Sequence, residues 1–547
     1  MSKGTKRIIA VALSAAILTG CGGSNTASSS TAGSSAATTT ASNVIDSKAN
    51  YAVAASTKLT DKEVKEGIGM TPQTLTPFQT NAARDQTYYT QMYECLAIND
   101  ENKDFQPWCA KSWETPDKGI TYNFEIWDNI TDSAGNKITA SDFVWFINES
   151  KTRALKPIFA KVASVEATSD TKFTVKFTMS QVGQLETFLE DVYAVSEKAF
   201  KASSNEFADQ IVSSSAYKVT AFTSSSSVTF TRRDDYWGKD MLDKLPEVVR
   251  PLNKTITYQT ITEASQLGIA IETGEIDLGL SVAVATAKGF MGNNDYQILQ
   301  QDGQQGIQMF FSGASGRVVS DNKDLRQAIL YSIDQTGLVQ GLSSGYAIAM
   351  HDVCPPTAIG YLSKWDSEDY YNYNLDKAKE LIKSSGYNNE EISILCTSGS
   401  TMQTLAQLMQ NYMVAAGLNV KLDIRDSAGY MAIRLDGTQY DIVLNTIGAM
   451  TLASHWAIRY DANAYKSGDA TSRKDQTLAE LLYKTWTVDG YTEENIDAVH
   501  TYIKDNAYAY GLIDENVFTI WKKSANVKKA VVCGPSCLMN PASTQFE

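Results

Sequence analysis

The side chains of this 547-residue chain with chemistry to offer are three histidines, seven cysteines and a scatter of carboxylates. His351, His455 and His500 form no His-Glu-x-x-His zinc pair. There is no phosphate-cradling Gly-x-x-x-x-Gly-Lys-Ser/Thr loop, and Gly313-Ala314-Ser315-Gly316 has the wrong spacing for a nucleophile elbow. The absence of Cys-x-x-Cys argues against a zinc ribbon or a thioredoxin-type site. His351, three residues before Cys354, is a pair that could meet a soft metal or simply share a loop. His500, beside Tyr502 and Ile503 in a helix-like stretch, reads as a partly exposed structural histidine, and Glu493-Glu494 as a solvated helix start. Catalysis by an activated nucleophile or a bound metal therefore has little to stand on.

The elements that would position these groups are legible from periodicity. Tyr122, Phe124 and Ile126 alternate with polar residues, the period of a strand with one wet face. Ser133-Ala134-Gly135-Asn136 supplies a turn, and Thr139-x-x-Asp142 starts a helix whose Phe143, Phe146 and Ile147 share a face. The alternation returns at Phe173, Val175 and Phe177 and at Val228 and Phe230. Helices are predicted from Glu263 to Thr273, along Leu375, Ala378, Leu381 and Ile382, and along Met402, Leu405, Leu408, Met409 and Tyr412. Gly274, Gly386 and Gly417 stop them. A strand at Val420, Leu422 and Ile424 follows the last helix. Strand-helix-strand order with short links predicts α/β lobes.

At the amino terminus Lys3, Lys6 and Arg7 precede an apolar run from Ile8 to Leu18, too short to span a bilayer but of the length of a secretory signal. Leu18-Thr19-Gly20-Cys21 resembles the lipobox of bacterial lipoproteins, which implies lipid attachment at Cys21 and removal of residues 1–20. Two acyl chains would hold the chain to the membrane with about 20 kcal/mol. Gly22 to Asn50 is built almost wholly of Gly, Ser, Thr, Ala and Asn and reads as a flexible linker with a reach of about 30 Å. From Tyr51 onward the chain is long enough for two or more cores. The formal net charge of −14 repels phosphate backbones and argues against nucleic-acid binding. Outside the cytoplasm Cys95, Cys109, Cys354, Cys396, Cys533 and Cys537 have fifteen possible pairings, of which Cys533 with Cys537 is the nearest in sequence.

Several blocks resemble a known family. They are Pro107-Trp108-Cys109-Ala110-Lys111-Ser112-Trp113-Glu114, Thr121-Tyr122-Asn123-Phe124, Thr139-Ala140-Ser141-Asp142-Phe143-Val144, Asp235-Tyr236-Trp237-Gly238, Gly274-Glu275-Ile276-Asp277, Leu325-Arg326-Gln327-Ala328-Ile329 and Ala378-Lys379-Glu380-Leu381-Ile382. In this order they resemble the extracellular solute-binding protein family 5, the oligopeptide-, dipeptide- and nickel-binding lipoproteins of ABC importers. The resemblance implies an α/β, two-lobed periplasmic-binding-protein-like fold of the class II type with an extra inserted subdomain. It places lobe I at residues 51–86, 205–305 and 512–547, the inserted subdomain at 87–204 and lobe II at 306–511, with crossings near Gly306 and Gly511. The implied protein is a membrane-anchored, extracytoplasmic monomer without cofactor. It would take a peptide or peptide-like solute between its lobes and deliver it to a permease driven by ATPase subunits.

For the ligand, the resemblance points to Asn445, Thr446, Gly448, Met450, His455 and Trp456 from the far lobe. Residues 81 to 86, with Asn81, Arg84 and Asp85, form a polar loop that is the candidate contact from the first lobe. Peptide binders of the family carry an aspartate for the peptide's amino group where this chain has Met450, so a free amine would need another partner. His455 falls near a histidine of nickel-binding relatives and is a weak metal candidate, so a nickel or metal chelate, or another non-peptide solute, is a second reading. A secreted cell-wall peptide hydrolase is the rival from another class.

Overall fold

The computed structural model describes residues 42–69, 75–78, 87–100, 104–208, 210–368, 370–448, 452–453, 475–533 and 538–547. Its framework is a 12-stranded mixed sheet. The path runs Val420–Arg425, Ile392–Thr397, Ile442–Gly448, Tyr296–Phe311, Ala509–Lys522, Leu278–Val282, Glu63–Ile68, Thr255–Thr260, Ser227–Arg232 and Tyr217–Thr223. Val44–Asp46 lies beside Tyr296–Phe311, and Ala347–Ala349 beside Ala509–Lys522.

The two central strands are far longer than the five or six residues that one core ordinarily needs. They pair antiparallel from Tyr296↔Lys522 to Phe310↔Ala509. Ile298, Phe518 and Ile520 pack into one apolar cluster, while Ile307, Met309, Phe311, Tyr510, Leu512 and Ile513 pack into another. Both strands thus leave one core and enter a second. The register shifts between Gln301 and Gln305 and between Ile307 and Gln308, within this passage. Such shifts bend a ladder where a straight one would hold the two cores rigidly in line.

A separate four-stranded antiparallel sheet, ordered Ala110–Glu114, Thr121–Ile126, Lys172–Phe177 and Val162–Ser169, carries the alternating residues of the sequence. Tyr122, Phe124, Ile126, Phe173, Val175 and Phe177 are all buried. The helix Ala140–Thr152 packs on it through Phe143, Phe146 and Ile147, with Phe143 stacked 5.7 Å from Phe173. At its start the Asp142 carboxylate accepts from the Thr139 N–H at 2.7 Å and from the Thr139 hydroxyl at 3.0 Å. The helices Ala264–Thr273, Leu375–Ser384 and Ser400–Ala415 stop where expected. Gly274, Gly386 and Gly417 adopt φ of 75°, 73° and 101°, which glycine reaches without strain. Ser400–Ala415 connects the parallel strands Ile392–Thr397 and Val420–Arg425, a β-α-β unit.

The polar tract ends earlier than expected. Residues 44–46 pair in parallel with Ile298–Gln300, and Ser47–Tyr51 is a helix. Asn43 donates to the Phe290 and Asn293 carbonyls at 2.9 and 3.0 Å, and Asn50 donates to the Ala530 carbonyl at 2.7 Å. Both asparagines are buried because the surrounding main chain satisfies their amides. Composition made this stretch look like linker, whereas two polar anchors and an open sheet edge make it part of the body. Among the described residues no helix is long and apolar enough to cross a membrane.

Candidate functional site

Ile442–Gly448 pairs with the central strand at its passage between cores. Asn445 lies opposite Gln308, Thr446 opposite Ile307 and Gly448 opposite Gln305. On the other side of that strand Gln308 pairs with Gly511, Ile307 with Ile513 and Gln305 with Glu515, and Glu515 pairs with Ala347. Gly448, Gln305, Glu515 and Ala347 therefore form one row across four strands. The parallel strands Glu63–Ile68, Thr255–Thr260 and Leu278–Val282 run toward the same region, since Val282 pairs with Phe518 while Leu278 pairs with the more distant Trp521. Carboxyl ends of parallel strands are where open α/β sheets take ligands.

Three of the expected contact residues, Asn445, Thr446 and Gly448, thus stand at this passage. Asn445 donates to the Thr446 carbonyl at 3.1 Å, and its amide oxygen accepts from the Tyr430 hydroxyl at 3.4 Å. Cys21, Asn81, Arg84, Asp85, Met450, His455 and Trp456 lie outside the described residues.

Gly511, expected at one crossing, leaves no room for a side chain, and Gly306, expected at the other, leaves little. The segment from Met350 to Pro355 lies across both strands. A Cβ on Gly511 would come within 2.1 Å of the Asp352 carbonyl oxygen, and one on Gly306 within 3.3 Å of Pro355. Met350 N–H donates to the Leu512 carbonyl at 3.2 Å, and Gln335 donates to the Gly511 carbonyl at 2.7 Å. Gln308 donates to the Val353 carbonyl.

This strap is fastened by a buried charge network. One oxygen of Asp352 meets His500 Nδ1, the other lies 3.0 Å from Lys504 Nζ, and Lys504 reaches Glu368 at 2.5 Å. His500 Nε2 lies 3.1 Å from the Ala453 carbonyl oxygen, and Trp365 stacks on the ring at 4.3 Å. Both ring nitrogens face oxygen atoms, Nδ1 the Asp352 carboxylate and Nε2 the Ala453 carbonyl. Burial alone would push the Asp352 carboxyl up, but His500 and Lys504 together hold it below the usual range.

His500 was expected to be partly exposed and is instead fully buried, because Trp365 covers one face of its ring. His351 does not join Cys354 in a cluster of ligand-type atoms; Cys354 lies instead with Asp352 and His500, whose ligand-type atoms are within 4.8 Å of one another. Asp352, Val353 and Cys354 are all buried, whereas His351 is only half-buried. As a metal site this trio is unfavourable, since Lys504 already supplies the cation and His500 has no free nitrogen.

The acids of this region were not marked by any motif. Glu515 is half-buried, and burial pushes its carboxyl up to about 7. The signal for it was the polar triplet Asp514-Glu515-Asn516 inside an otherwise apolar strand. Glu94, fully buried, accepts from the Tyr236 hydroxyl at 2.6 Å, Trp237 Nε1 at 2.8 Å and Cys109 Sγ at 3.1 Å. Burial raises its carboxyl to about 7 against the pull of those three donors. Two of the blocks that carried the family resemblance, at 107–114 and 235–238, therefore meet on Glu94 and serve packing. Cys95, Cys109, Cys354 and Cys396 are buried free thiols, the first three pushed well up by burial and Cys396 up to about 11. Cys537 and the side chain of Cys533 lie outside the described residues.

The small four-stranded sheet also touches the far core. Val182 N–H donates to the Trp486 carbonyl at 2.8 Å, Lys118 pairs with Asp489 at 3.0 Å across exposed surface, and Leu452 lies against Gly183.

A profile of the bacterial extracellular solute-binding proteins, family 5 Middle, matches residues 104–468. The glutathione-binding protein GsiB of Shigella flexneri serotype 5b is 23% identical over 402 residues, covering 71% of this chain and 74% of its own. Among solved structures, the ABC transporter substrate binding protein CtaP of Listeria monocytogenes superposes with a TM-score of 0.74 at 19% identity, over 89% of this chain and 99% of its own. The oligopeptide-binding protein AppA of Bacillus subtilis, in complex with a nonapeptide, superposes with a TM-score of 0.69 at 15% identity, over 85% of this chain and 95% of its own.

Proposed function

We propose, from the premise that this chain belongs to the bacterial extracellular solute-binding proteins of family 5, that it captures a peptide-like solute between two hinged lobes and passes it unaltered to an ABC permease. The family's fold is the two-lobed α/β binding-protein fold, and its members bind solutes rather than convert them. Lobe I comprises residues 51–86, 205–305 and 512–547, joined by the ordered stretch from Asn43 to Asn50. Residues 87–204 form the inserted subdomain, and 306–511 form lobe II. The lipid at Cys21 tethers the protein to the outer face of the cell membrane, beside the permease.

The observation that carries this reading is the pair of long strands leaving one core for another, with register shifts and glycines at the passage. A chain that crosses only there can rotate its halves without breaking either core. To take the molecule from 1% to 99% closed, the solute must favour the closed form by about 5.5 kcal/mol. The contacts of Val182 with Trp486 and of Lys118 with Asp489 join the inserted subdomain to lobe II and belong to the closed form.

Mass spectrometry of small molecules released from the membrane-extracted protein, followed by small-angle X-ray scattering of the stripped protein with and without the recovered solute, tests the reading. The expected result is one released solute class and a smaller radius of gyration when it is restored. No bound solute and no contraction, or steady conversion of the solute to a product, would refute it.

A further inference from the structure

The strand Ala509–Lys522 is apolar on either side of the passage. Tyr510, Leu512 and Ile513 are buried on one side, and Phe518, Ile520 and Trp521 on the other. Glu515 interrupts it where a carboxyl loses much of its water. Desolvation disfavours the ionised form, and a fixed neighbouring cation or a set of donors ordinarily offsets that cost. Among the described residues neither is present. None of the described residues gives the Glu515 carboxyl a counter-ion or a hydrogen bond, and burial is the one influence that moves its proton affinity. Contrast Glu94, which has three donors, and Asp352, which has two cations.

Position tells what would complete it. Glu515 pairs with Gln305 and Ala347, and Gln305 pairs with Gly448, the last residue of the strand that carries Asn445 and Thr446.

We infer that Glu515 anchors a cationic group of the solute, an ammonium or a guanidinium, on the floor of the cleft, and that it sets the preference for solutes bearing such a group. The inference rests on the solute-binding reading above. A cation placed against this carboxyl receives a charge-assisted bond and draws the proton off Glu515, so binding near pH 7 releases protons.

The test uses the full chain stripped of bound solute and titrated calorimetrically at pH 7 in buffers of different ionisation heat. The probes are matched pairs: trialanine with N-acetyl-trialanine, and butylguanidine with the uncharged butylurea. The solute recovered from the native protein is identified alongside. The expected results are a native solute with a cationic group, at least tenfold tighter binding of the charged member of a pair, and proton release. Glu515→Gln, which keeps the shape, should weaken the charged solute by about thirtyfold or more and abolish the proton release, while Glu515→Asp retains part of both. A native solute without a cationic group, or a charge preference unchanged in Glu515→Gln, overturns this assignment and leaves solute binding standing. A native protein that carries no solute and binds no probe overturns both.

Discussion

Gly511→Ala perturbs the passage between cores at one atom, and the structure sets the size of the effect. The new Cβ would lie 2.1 Å from the Asp352 carbonyl oxygen and 2.6 Å from Met350 Cβ. Carbon and oxygen in ordinary contact stand about 3.3 Å apart, so main chain must move by about 1 Å. The obstructing atom is a backbone oxygen, so no rotamer change relieves it. The segment that would have to move is fastened by Asp352 to His500 and Lys504. Overpacking of this kind costs about 1–3 kcal/mol, and here the upper end is expected. Gly306→Ala is the control. Its Cβ would meet Pro355 at 3.3 Å, a clash of a few tenths of an ångström. The entropy lost by the unfolded chain offsets that strain by about 0.4–1 kcal/mol, so a net change under about 1 kcal/mol is expected. Urea unfolding followed by far-UV circular dichroism reads both. With a slope of about 3 kcal/mol/M, Gly511→Ala should lower the midpoint of the transition by about 1 M and Gly306→Ala by less than about 0.3 M. Met350→Ala added to Gly511→Ala should recover little. Equal midpoints for the two glycine variants would refute the argument that the strap from Met350 to Pro355 clamps Gly511.

Glu94→Gln should destabilise by about 1–3 kcal/mol, because one of the three donors then faces an amide N–H in a buried site. Glu94, raised in the folded protein to about 7, contributes stability that is present below the ordinary carboxyl range and is lost as pH rises through about 7. The fall in urea midpoint between pH 5 and pH 8 should therefore be shallower in Glu94→Gln than in the parent, and an equal or steeper fall would count against it. Asp352 has the opposite sign. Held low in the folded protein, it contributes stability that is present above the ordinary carboxyl range and is lost as pH falls through its depressed value. Asp352→Asn leaves Lys504 buried with Glu368 as its remaining counter-ion among the described residues and should cost about 3–5 kcal/mol at pH 7, read by the same unfolding assay, with Lys504→Met restoring part of the loss.

Local order was legible where period and punctuation agree. Tyr122, Phe124 and Ile126 alternate because one side of their sheet is dry, and Gly274, Gly386 and Gly417 end helices because few other residues reach a left-handed backbone without strain. The same reasoning failed at Asn43 and Asn50. An asparagine buried by main-chain partners nearly 250 and 480 residues away looks, in sequence, like any linker asparagine. It failed at His500 for a related reason, since its neighbours in the chain say nothing of Trp365 or Asp352, which enclose it.

For the site, the family resemblance pointed to Asn445, Thr446 and Gly448, which the structure sets beside the passage, whereas Glu515 belongs to none of the quoted blocks. The blocks themselves proved to be partly about packing, as the meeting of Cys109, Tyr236 and Trp237 on Glu94 illustrates. From residue order alone came the family, the α/β class, most local elements and the expectation of two lobes, since these follow from short-range periodicity and recurrent blocks. Which carboxyl lacks a partner, which glycine is clamped and which histidine is enclosed depended on strands and loops brought together across hundreds of residues. Burial and pairing are properties of that assembly, and no local stretch of chain carries them.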